Sequence, residues 1–334
     1  MNSKEILKRL VSYNTINDKE NENIINCIEQ YLKGLGFKTE YKSKCLVMSN
    51  KEVCDIGFLG HTDTVSYADN WSYSPLDLSE VDGKLYGLGT SDMKGSIAAV
   101  LSAVSKIDFN KKGIKLFFTY DEEIGFSGIN ELVSKKVQFP KYMIIGEPTY
   151  NEKINASKGL LELKVQFNGV SSHSSKPEEG VNAIENCVDF INKIKKFYGE
   201  LKKEVIDSKW ATMNIGLING GRSINIVADS CEVLIDFRTI TKEQNQKIIE
   251  KVRCLLNNVD SSFEVINSIS PFLNSGEVAN MSDFITEASF IESGNKYILG
   301  VGPVNAHKRD EFITIESLNK LEEQYIEIIN EKCK

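Results

Sequence analysis

The chain has 334 residues, room for about two domains at roughly 150 residues each, with 41% apolar and 26% charged residues. Its 47 acidic against 40 basic side chains leave a formal net charge of −7, which excludes a protein built around a basic nucleic-acid-binding face. The seven cysteines are odd in number and contain no CxxC pair, a usage expected of reduced thiols in a cytoplasm rather than of a disulfide framework. Only three histidines occur, His61, His173 and His307. A His-rich metal site is therefore excluded, and any catalytic imidazole is one of these three.

In chain order, residues 1–12 and 20–35 have the 3.6-residue apolar spacing of helices, with Gly34 and Gly36 ending the second. The first of them, with Ile6, Leu7, Leu10 and Val11 among lysines, is amphipathic and lacks a signal-peptide core. No apolar run approaches the about 20 residues that span a bilayer, so no membrane partner is expected. A short apolar run at 53–59 stops at Gly60, residues 95–106 form a buried helix, and 114–120 and 142–146 are apolar, β-branched and aromatic strands. Strands separated by helices imply an α/β unit, a mostly parallel sheet flanked by helices.

The pattern changes near residue 160. Leu161, Leu163, Val165 and Phe167 alternate with polar residues, as in a half-buried strand. A helix over 182–201 follows, with Asn182 and Glu185 placed for a capping box, then strands at 212–218 and 231–238. A helix at 242–257, with Thr241 and Gln244 placed for another box, and a strand at 262–267 complete the order βαββαβ. Residues 160–270 are thus expected as an inserted ferredoxin-like domain, and 1–159 with 271–334 as the domain it interrupts, closed by a helix at 316–331.

Ligands of open α/β sheets collect at the carboxyl ends of the strands. Here those ends read Gly60-His61-Thr62-Asp63, Asp121-Glu122-Glu123 and Gly146-Glu147; a glycine-rich loop carries Asp92 to the start of a helix, and His307 follows an apolar segment and a Gly-Pro. Two histidines and at least four carboxylates thus converge by topology on one sheet edge. Two divalent metals need a bridging carboxylate, terminal His and carboxylate ligands, and a free carboxylate to take a proton from water. Mixed His and carboxylate ligation suits Zn, with Co or Mn possible by ligand type. Any one of these carboxylates alone is as well explained as a helix cap or a solvated turn. The stretch GLGTSDMKGS fits neither phosphate-binding pattern, because it lacks GxxxxGK[ST] and has Asp92 where a GxGxxG needs glycine.

At these residues the sequence resembles the M20 metallopeptidase family. The resemblance runs in family order through GHTDTV (60–65), DGKLYGLGTSDMKG (82–95), DEE (121–123), IIGEPT (144–149), SHSSKPEEGVNAIE (172–185) and GPVNAHKRDEF (302–312). It implies a di-zinc catalytic domain with an inserted lid that makes a homodimer. Carried over by position, His61, Asp92 and Glu147 are the implied ligands of one metal, and Asp92 bridges to a second held by Glu123 and His307. Glu122 is the implied general base, and Asp63 the orienter of His61. His173 matches a lid histidine that reaches the partner subunit's site and stabilises the oxyanion. Asn225 and Arg238 match positions that grip the substrate carboxylate, although Arg238 also reads as the partner of Asp236 on its own strand face. The bond after Asp92 is expected to be cis. Leu88 and the stretch ITEASFIESG (285–294) resemble the acetylornithine deacetylase branch, with Glu287 as partner for a cationic side chain. The implied activity is removal of the acetyl group from Nα-acetylornithine, a step of arginine biosynthesis. Other activities of the family remain open: succinyl-diaminopimelate desuccinylase, aminoacylase or dipeptidase, and at the far end a non-catalytic amino-acid-binding relative.

Overall fold

The structure, a computed structural model, describes residues 1–108, 112–274, 277, 279–292 and 294–333. Helix α1 (Ser3–Val11) starts at Asn2, whose side chain accepts from the Glu5 N–H while the Glu5 carboxylate accepts from the Asn2 N–H. Helix α2 (Asn21–Gly34) ends as the glycines require: Gly36 takes φ +94° and the Phe37 N–H donates to the Leu32 carbonyl. The chain continues through β1 (Lys38–Lys42), β2 (Cys45–Ser49), β3 (Ile56–His61), β4 (Ser79–Val81), β5 (Lys84–Tyr86), α3 (Gly95–Lys106) and β6 (Ile114–Thr119). Next come α4 (Glu122–Gly125), α5 (Ser127–Ser134), β7 (Tyr142–Ile145), β8 (Ala156–Ser157), β9 (Gly159–Asn168), α6 (Ala183–Leu201), β10 (Thr212–Gly220) and β11 (Ser230–Thr239). The last elements are α7 (Lys242–Leu256), β12 (Ser261–Ile269), β13 (Phe272–Leu273), β14 (Met281–Ser282), β15 (Asn295–Ile298), β16 (Phe312–Thr314) and α8 (Ile315–Lys332). Among the described residues no helix is long and apolar enough to cross a membrane.

The chain divides into two compact units, Met1–Ile154 with Thr286–Lys334, and Asn155–Ile285. The first holds a six-stranded sheet in the order β1-β2-β6-β3-β7-β15. Strands β6, β3, β7 and β15 are mutually parallel, whereas β2 runs against both β1 and β6, so the sheet is mixed. The edge strand β1, Lys-Thr-Glu-Tyr-Lys, carries no sequence signal of its own because its residues are exposed or half-exposed, whereas its partner β2 is a short, fully buried and mostly apolar run. Both faces of the central strands are buried, which is why they read as continuous apolar runs. Leu46, Phe58, Leu116 and Phe118 join a core with α1, α2, α3 and α8, through residues such as Leu7, Ile28, Leu101 and Tyr325. Residues of the other parity, Val47, Leu59, Phe117 and Ile145, are equally buried, and α5 contacts β2.

In the second unit the order β9-α6-β10-β11-α7-β12 builds a fully antiparallel sheet, β10-β11-β9-β12. Leu161, Leu163, Val165 and Phe167 pack with Val233, Ile235 and Phe237 beneath Phe190 and Ile194 of α6 and Ile248 and Val252 of α7. Its extent differs from the expected 160–270 at both ends, because β8 pairs with β13 and β14 in a small separate sheet. The capping at α7 also differs from the expected box. Thr241 makes no side-chain cap, while the Gln244 carboxamide accepts from the Ile240 N–H at 2.8 Å. At α6, Asn182 accepts from the Ile184 N–H and donates to Glu185.

Candidate metal centre

Strand register brings the first two residues of the site together. Leu59 of β3 pairs with Ile145 of β7, so His61 and Glu147 each lie two residues beyond one pair at the same sheet edge. Likewise His61 pairs with Thr119 of β6, which places Asp121 to Glu123 just past that strand. Asp121 takes φ +66°, a left-handed turn that starts α4 with Glu122 and Glu123. Asp92 arrives from the wide turn Thr90–Lys94 ahead of α3, with the non-helical φ of −127°. The bond after it is cis. His307, at φ +62°, sits on the loop that follows the cis bond Gly302–Pro303.

The distances define two donor groups sharing one carboxylate. His61 Nε2 lies 3.0 Å from Asp92 Oδ1 and 3.9 Å from Glu147 Oε1. His307 Nε2 lies 2.9 Å from Glu123 Oε1 and 3.5 Å from Asp92 Oδ2. In each group, His61–Asp92–Glu147 and Asp92–Glu123–His307, the donor atoms lie within 4.8 Å of one another. A third trio, His61–Glu122–Glu123, meets the same limit. Asp63 holds the imidazole chiefly through its backbone: His61 Nδ1 is 3.1 Å from the Asp63 carbonyl and 3.5 Å from Oδ1, while Oδ2 accepts from the Glu123 N–H at 3.2 Å.

Electrostatics in this pocket are those of a site short of positive charge. Burial pushes Glu147 well above the ordinary carboxylate range, the Asp92 charge adds to this, and His61 opposes it. Burial, together with Glu123, Glu287 and Asp92, likewise raises Glu122 against the pull of His61. Burial also works on Asp92, but hydrogen bonds from His307 and His61 outweigh it and hold Asp92 well below its usual value. His61 is raised in turn, its burial overcome by Asp63 and Asp92, and Asp92 and Glu123 lift His307 to about 10. Two imidazoles among Asp63, Asp92, Glu122, Glu123 and Glu147 leave the cluster acidic. Divalent cations fit it, since each donor group offers an imidazole nitrogen and carboxylate oxygens; His61 and Glu147 are buried, while His307 opens to solvent.

Glu287 lies in the same unit, fully buried, and neither carboxylate oxygen has a hydrogen-bond partner among the described residues. Burial pushes it up to about 7, against the pull of His61 and of the nearby Thr119 hydroxyl. The other predicted residues belong to the second unit. His173 is an exposed loop residue with Nδ1 2.8 Å from Ser175 Oγ; its backbone bridges Ile226, and the Ser174 N–H donates to the Asn225 carbonyl. His173 and Asn225 are therefore neighbours. Arg238 is not with them, for it lies at the far end of β11, about 26 Å along the strand from Ser230 at about 3.3 Å per residue. Its Nε donates to Asp236 at 3.1 Å, the pairing open to it from sequence.

Two residues were not singled out by their sequence. The Glu311 carboxylate, 3% exposed, accepts from the N–H groups of Gly89, Ser91 and Asp92, and burial pushes it up to about 7. Lys94 is fully buried and donates to the Tyr13 carbonyl at 3.0 Å; burial pulls it down to about 7. Both partners are remote in sequence; Lys94 at least stands as a charge in an otherwise buried stretch, whereas Glu311 follows the exposed run His307–Arg309 and has no local signal.

Residues 57–331 match the model of peptidase family M20/M25/M40. The chain belongs to this family. Its members are hydrolases that use divalent metal ions, in keeping with the donor set above. The chain is also 30% identical to the acetylornithine deacetylase of Pasteurella multocida (strain Pm70), over 95% of this chain and 92% of that protein. With the enzyme of the same name from Proteus mirabilis (strain HI4320) the identity is 31%, over 95% and 91%. Among solved structures, the aminopeptidase PepT from Bacillus cereus superposes with a TM-score of 0.81 at 21% identity, covering 99% of this chain and 98% of that one. A dinuclear metal-binding M20 peptidase from Bacillus subtilis gives 0.74 at 14% identity, over 98% and 96%; these likenesses show the fold.

Proposed function

We propose that the protein is a two-metal amide hydrolase that releases an N-acyl group from an amino acid, with Nα-acetylornithine as substrate and ornithine and acetate as products. The observation that carries this reading is the pair of donor groups sharing Asp92, with Glu122 beside them and outside both. The 30–31% identity to acetylornithine deacetylases supports the choice of substrate. His61, Asp92 and Glu147 would hold one ion, and Asp92, Glu123 and His307 the other; Zn suits the set, and Co or Mn are accepted by the same ligand types. Bound there, the ions would supply the Lewis acidity that activates water and polarises the amide carbonyl. Glu122 takes the proton of the attacking water and delivers it to the leaving nitrogen. Asp63 orients His61, through the carbonyl that faces Nδ1. His173 donates to the tetrahedral oxyanion from the partner protomer. Asn225, ahead of β11, and Arg238, near its far end in the same chain, hold the substrate carboxylate from different protomers. Glu287, an unpartnered buried carboxylate, meets the cationic side chain of the substrate.

A homodimer formed through the inserted unit belongs to the same proposal. Strand β10 is the edge of its sheet, with Leu217 57% and Ile218 50% exposed, and α6 beside it exposes Val188. An exposed apolar edge strand is a surface that a second copy can cover. Leu217→Asp with Ile218→Asp should give a monomer on size-exclusion chromatography with light scattering. An unchanged mass, whether dimeric or already monomeric in the parent protein, refutes this interface.

The test of function is a hydrolysis panel with added Zn²⁺ or Co²⁺. It compares Nα-acetylornithine, N-succinyl-diaminopimelate, other N-acyl amino acids and dipeptides. Preference for Nα-acetylornithine is expected. Activity confined to dipeptides overturns the deacetylase reading, and inactivity with two ions bound overturns the enzyme reading.

A further inference from the structure

We propose that Glu311 is the positioning residue of the shared ligand Asp92, its buried carboxylate holding the Gly89–Asp92 backbone in the one shape that aims the Asp92 side chain at both donor groups. The inference rests on the two-metal reading of the site. It begins with the backbone hydrogen bonds of a segment that belongs to no sheet and departs from helical geometry. The Thr90 N–H is satisfied locally by the Gly87 carbonyl at 3.2 Å. The other three N–H groups converge on one side chain: Gly89 donates to Glu311 Oε2 at 2.9 Å, and Ser91 and Asp92 donate to Oε1 at 2.7 and 3.1 Å. No acceptor within the segment replaces them.

Steric limits narrow the same shape. Gly89 holds φ +77°, and a Cβ there would stand 2.8 Å from Thr64 Cγ2. The loop is therefore pinned on one side by packing and on the other by Glu311. Because Glu311 follows His307 by four residues, one side chain also links the segment bearing Asp92 to the segment bearing His307. Ser91 Oγ adds a second link between them by donating to the Pro303 carbonyl at 3.1 Å. Ligand atoms on metals tolerate displacements of only a few tenths of an ångström, so a backbone shift at Asp92 is felt in both donor groups at once.

A carboxylate is the acceptor this convergence requires. It accepts at both oxygens, whereas glutamine must turn an NH₂ group toward at least one of the three donors. Aspartate keeps the charge but, one methylene shorter, cannot reach all three. The experiment titrates metal-free wild type, Glu311→Gln and Glu311→Asp with Co²⁺, reading stoichiometry, affinity and the visible absorption of the bound ion. Thermal midpoints of the metal-free proteins are recorded alongside. The variants should bind Co²⁺ about 10–100-fold more weakly, with an altered spectrum, as for the loss of other groups that orient metal ligands.

Tyr325→Phe, which removes a buried hydrogen bond elsewhere in the same unit, should lower the thermal midpoint and leave Co²⁺ affinity unchanged. If Glu311→Gln does not fold, Glu311→Asp decides. Wild-type affinity and spectrum in the folded Glu311 variants overturn the role, as does a loss of affinity in Tyr325→Phe equal to theirs. A wild-type protein that takes up no ion overturns the two-metal reading itself and this role with it.

Discussion

Replacing Glu122 by Gln separates the role of base from the role of ligand. The Glu122 carboxylate is raised by burial and by the charges of Glu123, Glu287 and Asp92, with no hydrogen bond among the causes. An amide of the same size therefore removes the proton acceptor and breaks no network. Loss of a positioned general base lowers turnover about 10²–10⁴-fold, or roughly 3–5 kcal/mol at 1.36 kcal/mol per decade. The sign of the stability effect runs the other way. A carboxyl group whose folded pKa is raised costs stability above its ordinary value, so the neutral amide removes that cost near pH 7. The metal-free variant should thus melt at or above the wild-type temperature. Steady-state hydrolysis of Nα-acetylornithine, metal analysis of the loaded protein and a thermal melt together read all three. Retention of both ions with kcat reduced by at least 100-fold is the expected result. Loss of an ion along with activity would place Glu122 in the His61–Glu122–Glu123 trio as a ligand, and activity within tenfold of wild type would refute the base.

Asp92→Asn should abolish tight binding of both ions, whereas Glu147→Gln should weaken one, because only Asp92 belongs to both donor groups; equilibrium dialysis counts the ions, and equal losses would refute the sharing. Glu29, held down to about 2 by Lys33, Lys42 and Thr39, stabilises the fold above its ordinary value near 4.5 and loses that contribution as the pH falls through about 2. Glu29→Gln should cost about 1–2 kcal/mol at pH 7, discounted for solvent screening, and the gap from wild type should close on acidification in urea melts. Tyr325→Phe deletes a hydroxyl that donates to the Leu299 carbonyl at 2.6 Å in the core, and should cost about 1–2 kcal/mol by the same measurement.

Much of the site was legible because β3 and β7 are buried on both faces. Apolar runs that end abruptly in His61-Thr62-Asp63 and Gly146-Glu147 mark strand ends, where ligands of α/β sheets gather. The edge strand β1 was not legible, since its polar residues satisfy solvent as readily as a sheet. Neither was the burial of Glu287, a glutamate in a short turn whose sequence resembles any exposed one. For Arg238 the sequence allowed both substrate and Asp236, and the fold supplies the Asp236 contact.

The sequence alone determined the alternation of apolar runs, helices and glycine turns, and with it the two-part α/β organisation and the identity of the acidic and imidazole groups. Those are local properties, set by periodicity and by which residues a turn admits. Periodicity could not tell which carboxylates meet; the family resemblance implied the grouping, and tertiary structure brings the donor atoms of each group within 4.8 Å of one another. Asp92 becomes the shared member because register and a remote carboxylate, Glu311, fix its backbone between His61 and His307. Contacts across about 220 residues leave no periodic trace, since they depend on where the sheet edge and two loops come to rest.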